Sequence, residues 1–156
     1  MVEVALKCSC GEVEGMSLDI SPTTGNRVVC HCDDCQAFAK YLGREAEILD
    51  ECGGTDIFQI TPAQVKITKG ADKLRCYRLS EKGIFRWYTE CCKTPIGNTI
   101  GKNMPFIGVV HSFMDDKGQR DQNLGPVKNY VMGKYATGVT PPPTGTHAGF
   151  PLGLIL

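Results

Sequence analysis

The sequence has no excess of charge, no long basic run and no long apolar run. It holds 17 basic and 17 acidic residues, so its formal net charge is zero. A nucleic-acid-binding surface needs clustered positive charge to engage phosphates, and nucleic acid is therefore not an expected partner. No stretch approaches the roughly 20 apolar residues of a transmembrane helix, which argues against insertion into a membrane.

The N-terminus also lacks the features of a secretory signal. Residues 1–15 show no basic segment followed by an apolar one, and we therefore expect a cytoplasmic protein. Disulfides are disfavoured in that reducing compartment. The nine cysteines of the 156-residue chain thus indicate metal binding or catalysis rather than a disulfide framework.

The length and the 42% of hydrophobic residues suit one domain with its own core. We place this domain at residues 1–140. Residues 141–156 form a Pro- and Gly-rich extension with an apolar end. We expect the extension either to wrap over the domain or to lie against a partner, which would allow a homo-oligomer.

Three cysteines fall within six residues, as Cys30, Cys32 and Cys35. Thiolates this close in sequence can bind one Zn²⁺ ion. Three ligands would leave one coordination position open, as in catalytic sites, whereas a distant fourth ligand such as Cys52 would close the site. A third possibility is a metal-free dithiol of Cys32 and Cys35. We expect His31, between two of the ligands, to point away from the metal and to be exposed.

A second set of cysteines consists of two pairs, Cys8 with Cys10 and Cys91 with Cys92. Cys8 and Cys10 precede Gly11, so a tight turn can present both sulfurs on one side. They need two more ligands, and the vicinal pair is the obvious source, which predicts a closed four-cysteine site. We expect the remaining Cys76, in an alternating segment, to be a small apolar core residue.

Short alternating segments at spacings of roughly 8–12 residues predict a mainly β fold. The segment 35–42 predicts a short helix that Asp33 or Asp34 caps and Gly43 ends. We expect a strand at 74–79 to pair with the strand at 65–69. The segment 125–133 predicts one further short helix.

Together these motifs resemble the family of glutathione-dependent formaldehyde-activating enzymes, which includes centromere protein V. The resemblance covers roughly residues 4–110 and runs through the C-x-C-G at 8–11, the C-H-C-x-x-C at 30–35 and the aromatic, cysteine and Thr-Pro segment at 88–95. It implies an Mss4-like fold: several small antiparallel sheets organised around zinc, with one or two short helices.

The resemblance also implies roles for the cysteines. Cys8, Cys10 and Cys92 would be ligands of a structural zinc, and Cys30, Cys32 and Cys35 would be ligands of a catalytic zinc. The family motif has a cysteine where this chain has Thr89, and a glycine where it has Lys93. Cys91 is the expected replacement ligand, with Glu90 or a displaced site as alternatives.

The implied activity is that of a carbon–sulfur lyase combining glutathione with formaldehyde, and the expected partner is a small thiol or aldehyde. Glutathione would need cationic partners for its carboxylates, and the candidates are Arg27, Lys40, Arg44 and Arg86. The alternative is a non-enzymatic binding module in which zinc only stabilises the fold.

Overall fold

A computed structural model describes residues 1–101, 103 and 105–151 of the chain. Two β-sheets and three short helices make up the fold, which confirms the predicted mainly β class. The smaller sheet is antiparallel and has the strand order β10-β1-β2-β5. Its strands are β1 (Val2–Lys7), β2 (Glu14–Ile20), β5 (Val65–Lys69) and β10 (Met114–Asp115).

The larger sheet has seven strands in the order β11-β3-β4-β9-β8-β7-β6. Its pairs are antiparallel except β11 with β3, which are parallel. Its strands are β3 (Asn26–Cys30), β4 (Thr55–Ile60), β6 (Leu74–Tyr77), β7 (Phe85–Thr89), β8 (Pro95–Thr99), β9 (Ile107–Val110) and β11 (Asn129–Val131).

The central strands of the larger sheet are buried on both faces. Successive residues of a strand point to opposite faces, and Ile57 and Phe58 of β4 accordingly belong to different cores. Phe58 packs in the core that includes Val4 and Leu6 of the smaller sheet, so this core joins the two sheets. Ile57 packs in the second core, with Phe38 of the first helix.

The helices are α1 (Asp33–Tyr41), α2 (Glu45–Ile48) and α3 (Arg120–Leu124). The prediction of a capping aspartate for α1 is wrong, because the N-cap is Cys32 and its sulfur accepts a hydrogen bond from the Cys35 amide. Asp33 and Asp34 lie instead in the first turn, where negative charge is favourable. Gly43 follows the helix with a φ of 68°, as a glycine after a helix end commonly does.

Two other sequence predictions are wrong. The strand β6 pairs with β7 rather than with β5, because β5 pairs with β2 in the other sheet. The segment 125–133 holds the strand β11 rather than a helix. Gly125 and Pro126 disfavour a helix in this segment. Residues 129–131 instead form a strand that pairs with β3.

The described part of the C-terminal extension lies against the domain. The His147 amide donates to the Tyr130 carbonyl at 2.9 Å, and the Met132 amide donates to the Gly149 carbonyl at 3.1 Å. Phe150 packs against the second core. Residues 152–156, the apolar end on which the oligomer prediction depends, lie outside the described residues.

None of the described helices has the length and apolar character that crossing a membrane requires.

Candidate metal centres

The structure brings together the sulfurs of Cys8, Cys10, Cys91 and Cys92, which all lie within 4.8 Å of one another. The Sγ–Sγ distances are 3.7 Å from Cys8 to Cys10, 3.8 Å from Cys8 to Cys91 and 4.0 Å from Cys91 to Cys92. Zn–S bonds of about 2.3 Å in a tetrahedron place sulfurs about 3.8 Å apart. The four side chains thus fit a tetrahedral metal ion without rearrangement.

Two tight loops position these four sulfurs. In the first loop the Gly11 amide donates to the Cys8 carbonyl at 3.1 Å, and Gly11 has a φ of 81°. The Val13 amide donates to the Cys8 sulfur at 3.3 Å, which helps to hold this sulfur in position. In the second loop Lys93 adopts a φ of 59°. It therefore has the left-handed conformation that glycine adopts most readily.

Two threonines support Cys92. The Thr89 hydroxyl lies 3.4 Å from the Cys92 sulfur, and the Thr94 hydroxyl lies 3.2 Å from it. Burial acts to raise the pKa of Cys92, but hydrogen bonds from these two hydroxyls lower it to about 6. For Cys91, burial has the largest effect and hydrogen bonding with Cys10 adds to it. Together they raise the pKa of Cys91 to about 12. Thr89 thus forms a hydrogen bond with a candidate ligand. From the sequence it was noted only as the residue that replaces a cysteine of the family motif.

The sulfurs of Cys30, Cys32 and Cys35 form a second cluster, again within 4.8 Å of one another. Cys30 ends β3, Cys32 caps α1, and Cys35 lies in the first helical turn. A strand end and a helix N-terminus therefore hold all three thiols. The positive end of the helix dipole favours thiolates at this position.

Hydrogen bonding within the triplet makes its three thiols unequal. Hydrogen bonds from Cys30 and Cys32 hold the pKa of Cys35 well below its usual value, despite its burial. The pKa of Cys30 is raised by hydrogen bonding with Cys32 and Cys35 and by burial. For Cys32 the hydrogen bond with Cys30 acts downward, but the hydrogen bond with Cys35 and burial raise the pKa overall. Of the three thiols, Cys35 is therefore the one whose charged form is most favoured.

Arg86 is the cation next to Cys35. Its Nη1 donates to the Cys35 sulfur at 3.5 Å, and the residue is only 3% exposed. Its guanidinium also lies over the Phe38 ring, 5.7 Å from the ring centre. None of the ion pairs between described residues involves Arg86. The cysteine cluster is therefore the group in direct contact with Arg86 that could balance its charge.

A cavity of about 480 Å³ opens over the triplet, and Arg86 contributes to its wall. A much smaller cavity of about 10 Å³ lies behind Cys35. Its lining includes Thr55, Arg86 and Asn98. The Oγ1, Nε and Oδ1 atoms of these three residues are buried without a hydrogen-bond partner among the described residues, and the cavity is about the size of one water molecule.

Neither Cys52 nor Cys76 joins a cluster of described residues. Cys52 is buried in a loop, where its sulfur donates to the Thr140 carbonyl at 3.4 Å. The prediction that Cys76 is a core residue is wrong, because the residue is exposed on β6. This strand lies at the edge of the larger sheet, and Arg75 next to Cys76 is exposed as well.

The expected exposure of His31 is also wrong, since the residue is fully buried. Its Nδ1 donates to the Val131 carbonyl at 3.0 Å. The addition of β11 beside β3 covers the side chain, and this pairing was not predicted from the sequence.

Three of the four candidate partners for glutathione carboxylates lie outside the cavity lining. Arg27 is buried in ion pairs with Asp56 and Asp121, and Arg44 pairs with Glu47 and donates to the Cys92 carbonyl. Lys40 is exposed and is not among the residues that line the cavity. Arg86 alone of the four lines it.

Comparison with known proteins finds relatives without an assigned activity. A family model described as "Family of unknown function (DUF6151)" matches residues 1–156. The chain is also similar to the crystal structure of a Rhodobacter sphaeroides protein, a structural genomics target, with 18% sequence identity and a TM-score of 0.52. That match covers 79% of this chain and 96% of the other, and at this identity it shows a shared fold only. No curated protein matches the chain.

Proposed function

Because the chain belongs to the DUF6151 family, whose function is unknown, we propose a function from its own cysteines. We propose that it is a zinc enzyme acting on adducts of a small thiol and a carbonyl compound. The four-cysteine cluster would hold a structural zinc, and the triplet of Cys30, Cys32 and Cys35 would hold a catalytic one. The observation that carries the proposal is a three-thiol cluster that faces a cavity and lies beside a buried cation.

The charge of Arg86 is compatible with a divalent ion at the triplet. A buried guanidinium without a compensating negative charge is strongly unfavourable. Three thiolates and one divalent cation carry a net charge of −1, which Arg86 would neutralise. Arg86 contacts Cys35, so the opposite charges would lie in direct contact.

The number of sulfurs gives the two clusters different proposed roles. Four sulfurs complete a tetrahedron and leave no room for a substrate, as in structural zinc sites. Three sulfurs leave one position for an exchangeable ligand. Cys52 does not close the triplet, because its sulfur is hydrogen-bonded to the Thr140 carbonyl elsewhere.

The proposed reaction joins a thiol to an aldehyde or splits the adduct. In the forward direction a sulfur–carbon bond forms, the carbonyl π bond breaks, and the thiol proton moves to the carbonyl oxygen. A zinc ion, when bound, would favour the thiolate form of the substrate. The carboxylates of Asp33 and Asp34 line the same cavity and are groups that can carry the proton.

The first test is the metal content of the full chain purified without added metal or chelator, measured by elemental mass spectrometry. We expect two zinc ions per chain, and one in each of the variants Cys32→Ser and Cys35→Ser. Cys76→Ser is the matched control, because Cys76 is exposed and outside both clusters. A chain with no metal, or triplet variants with an unchanged zinc content, would overturn the proposed sites.

The second test measures whether the protein catalyses the proposed reaction. We would follow loss of free thiol and of formaldehyde, with glutathione and with simpler thiols, in the wild type and in Cys32→Ser. The proposal requires thiol–aldehyde exchange that is faster than the uncatalysed reaction and depends on Cys32. A protein with two zinc ions and no such acceleration would be the zinc-stabilised binding module instead.

A further inference from the structure

The cavity over the triplet has mainly apolar walls. Its volume of about 480 Å³ lies within the range of small-molecule sites. Its apolar side chains come from the larger sheet, from the loops next to that sheet and from the C-terminal segment. They are Ile57, Ile84, Ile100, Phe106, Met132 and Phe150.

The charged side chains among the described lining residues do not favour a ligand with several carboxylates. Of its described lining residues, Arg86 is the cation, and its Nη1 is already directed at the Cys35 sulfur. Asp33 and Asp34 also line the cavity and add negative charge. Glutathione carries two carboxylates, which the two aspartates would repel.

The C-terminal segment forms one wall and is fixed to the domain by main-chain hydrogen bonds. The Gly133 amide donates to the His147 carbonyl at 2.8 Å, and the Met132 amide donates to the Gly149 carbonyl at 3.1 Å. Phe150 follows directly and packs against the core that contains Cys30 and Cys35. These hydrogen bonds hold the C-terminal segment in place, so the apolar wall is a defined part of the cavity.

We infer that the cavity binds a small thiol with an uncharged, apolar body, such as an alkyl or aryl group. The inference rests on the proposed function, since the thiol sulfur would lie at the cysteine triplet. Its body would lie against the apolar side chains of the cavity wall, including Phe106 and Phe150. Apolar burial would then set the affinity, with each buried methylene tightening binding about fourfold at most.

The experiment measures thiol binding to the full chain loaded with Co²⁺ in place of zinc. Ethanethiol, butanethiol, hexanethiol, phenylmethanethiol and glutathione are titrated at one pH, and the visible cobalt bands report binding near the metal. We expect hexanethiol to bind at least about tenfold more tightly than ethanethiol, and glutathione at least about tenfold more weakly than hexanethiol. An affinity independent of chain length, or glutathione binding as tightly as hexanethiol, would overturn the inference.

Variants locate the binding of the apolar body. Phe150→Ala and Ile84→Ala remove apolar side chains from different parts of the wall, and each should reduce the preference for hexanethiol over ethanethiol by at least about threefold. Val139→Ala is the matched control, because Val139 is fully exposed and does not line the cavity. If both wall variants kept the wild-type preference, the thiol body would bind elsewhere.

The result also separates this inference from the proposed function. A chain that binds one cobalt ion instead of two, with no response to any thiol, overturns both. A chain that binds two cobalt ions and prefers glutathione overturns only the apolar thiol and leaves the metal site intact.

Discussion

Arg86 donates a hydrogen bond from Nη1 to the Cys35 sulfur at 3.5 Å, in a place where the arginine is only 3% exposed. The contact joins β7 to the first turn of α1. It therefore links the larger sheet to the segment that carries two of the three clustered thiols. At the proposed metal site, the contact would make the affinity of the triplet depend on a residue that is not a ligand.

Arg86→Gln should weaken metal binding at the triplet by about tenfold or more at neutral pH. Metal binding requires deprotonated cysteines, and Arg86 favours the charged form of Cys35. Without the guanidinium, a centre of charge −1 would be buried without compensation. Competition with a chelator of known affinity measures the effect on the weaker of the two sites.

Two further variants are controls for this prediction. Arg86→Lys keeps the positive charge and should retain more affinity than Arg86→Gln. Arg78→Gln removes an exposed arginine that lines neither described cavity at the triplet, and should leave the affinity unchanged. Equal affinities of the wild type and Arg86→Gln would contradict the proposed charge balance.

Cys92→Ser should remove one metal ion per chain and destabilise the whole fold. The four-cysteine cluster connects the loop after β1 with the loop after β7, which belong to different sheets. Loss of a structural zinc site removes folding free energy directly. We expect a loss of roughly 3 kcal/mol or more, equivalent to a fall of about 6–12 °C in Tm.

Calorimetry of Cys92→Ser beside Cys76→Ser measures this difference. Both variants replace one sulfur by oxygen, but only Cys92 belongs to a cluster. A metal content and Tm of Cys92→Ser equal to those of Cys76→Ser would show that the four sulfurs do not bind a metal.

Thr89→Val should lower stability by about 1–3 kcal/mol. Thr89 is fully buried, and its hydroxyl accepts a hydrogen bond from the Thr94 amide at 3.1 Å. Valine has the same shape but leaves that amide unsatisfied, and it also removes a hydrogen bond to the Cys92 sulfur. Thr68→Val, at an exposed position of β5, is the control, and urea unfolding of both variants is the measurement. A loss of less than about 0.5 kcal/mol, typical of surface substitutions, would mean that the hydroxyl has no structural role.

The grouping of the cysteines was accessible from the sequence. Short spacing brings Cys30, Cys32 and Cys35 together in any fold that ends a strand and begins a helix there. For Cys8 and Cys10, the need for two more ligands pointed to the vicinal pair at 91–92. Local geometry of this kind is specified by a few neighbouring residues, so it can be predicted without knowing the topology.

Long-range pairing was not accessible in the same way. The residues of β6 do not show whether β5 or β7 is its partner. The short connection from β5 to β6 favoured a hairpin of these two strands, but β6 pairs with β7. The parallel addition of β11 to β3 joins segments about a hundred residues apart. That pairing decides the burial of His31, so the side chain could not be placed from sequence alone.

The pH dependence of stability should include a contribution from His111. Its Nε2 donates to the Ile48 carbonyl at 2.9 Å, which joins the turn after β9 to α2. Burial, assisted by the charges of Arg120 and Arg27, lowers the pKa of His111, although the bond to Ile48 and the charge of Asp56 act in the opposite direction. The folded protein therefore holds this imidazole neutral more strongly than the unfolded chain does.

This difference fixes the sign of the effect. Below the usual histidine pKa of about 6.5, the unfolded chain takes up a proton that folded His111 resists, so the free energy of unfolding falls as the pH decreases. His111→Gln keeps a donor for Ile48 but cannot be protonated, and its stability should fall less between pH 7.5 and 5.5. Urea unfolding of both proteins at the two pH values, with zinc in equal excess, gives the comparison. An NMR titration of the His111 ring provides the direct check, since a midpoint above 6.5 would reverse the expected sign.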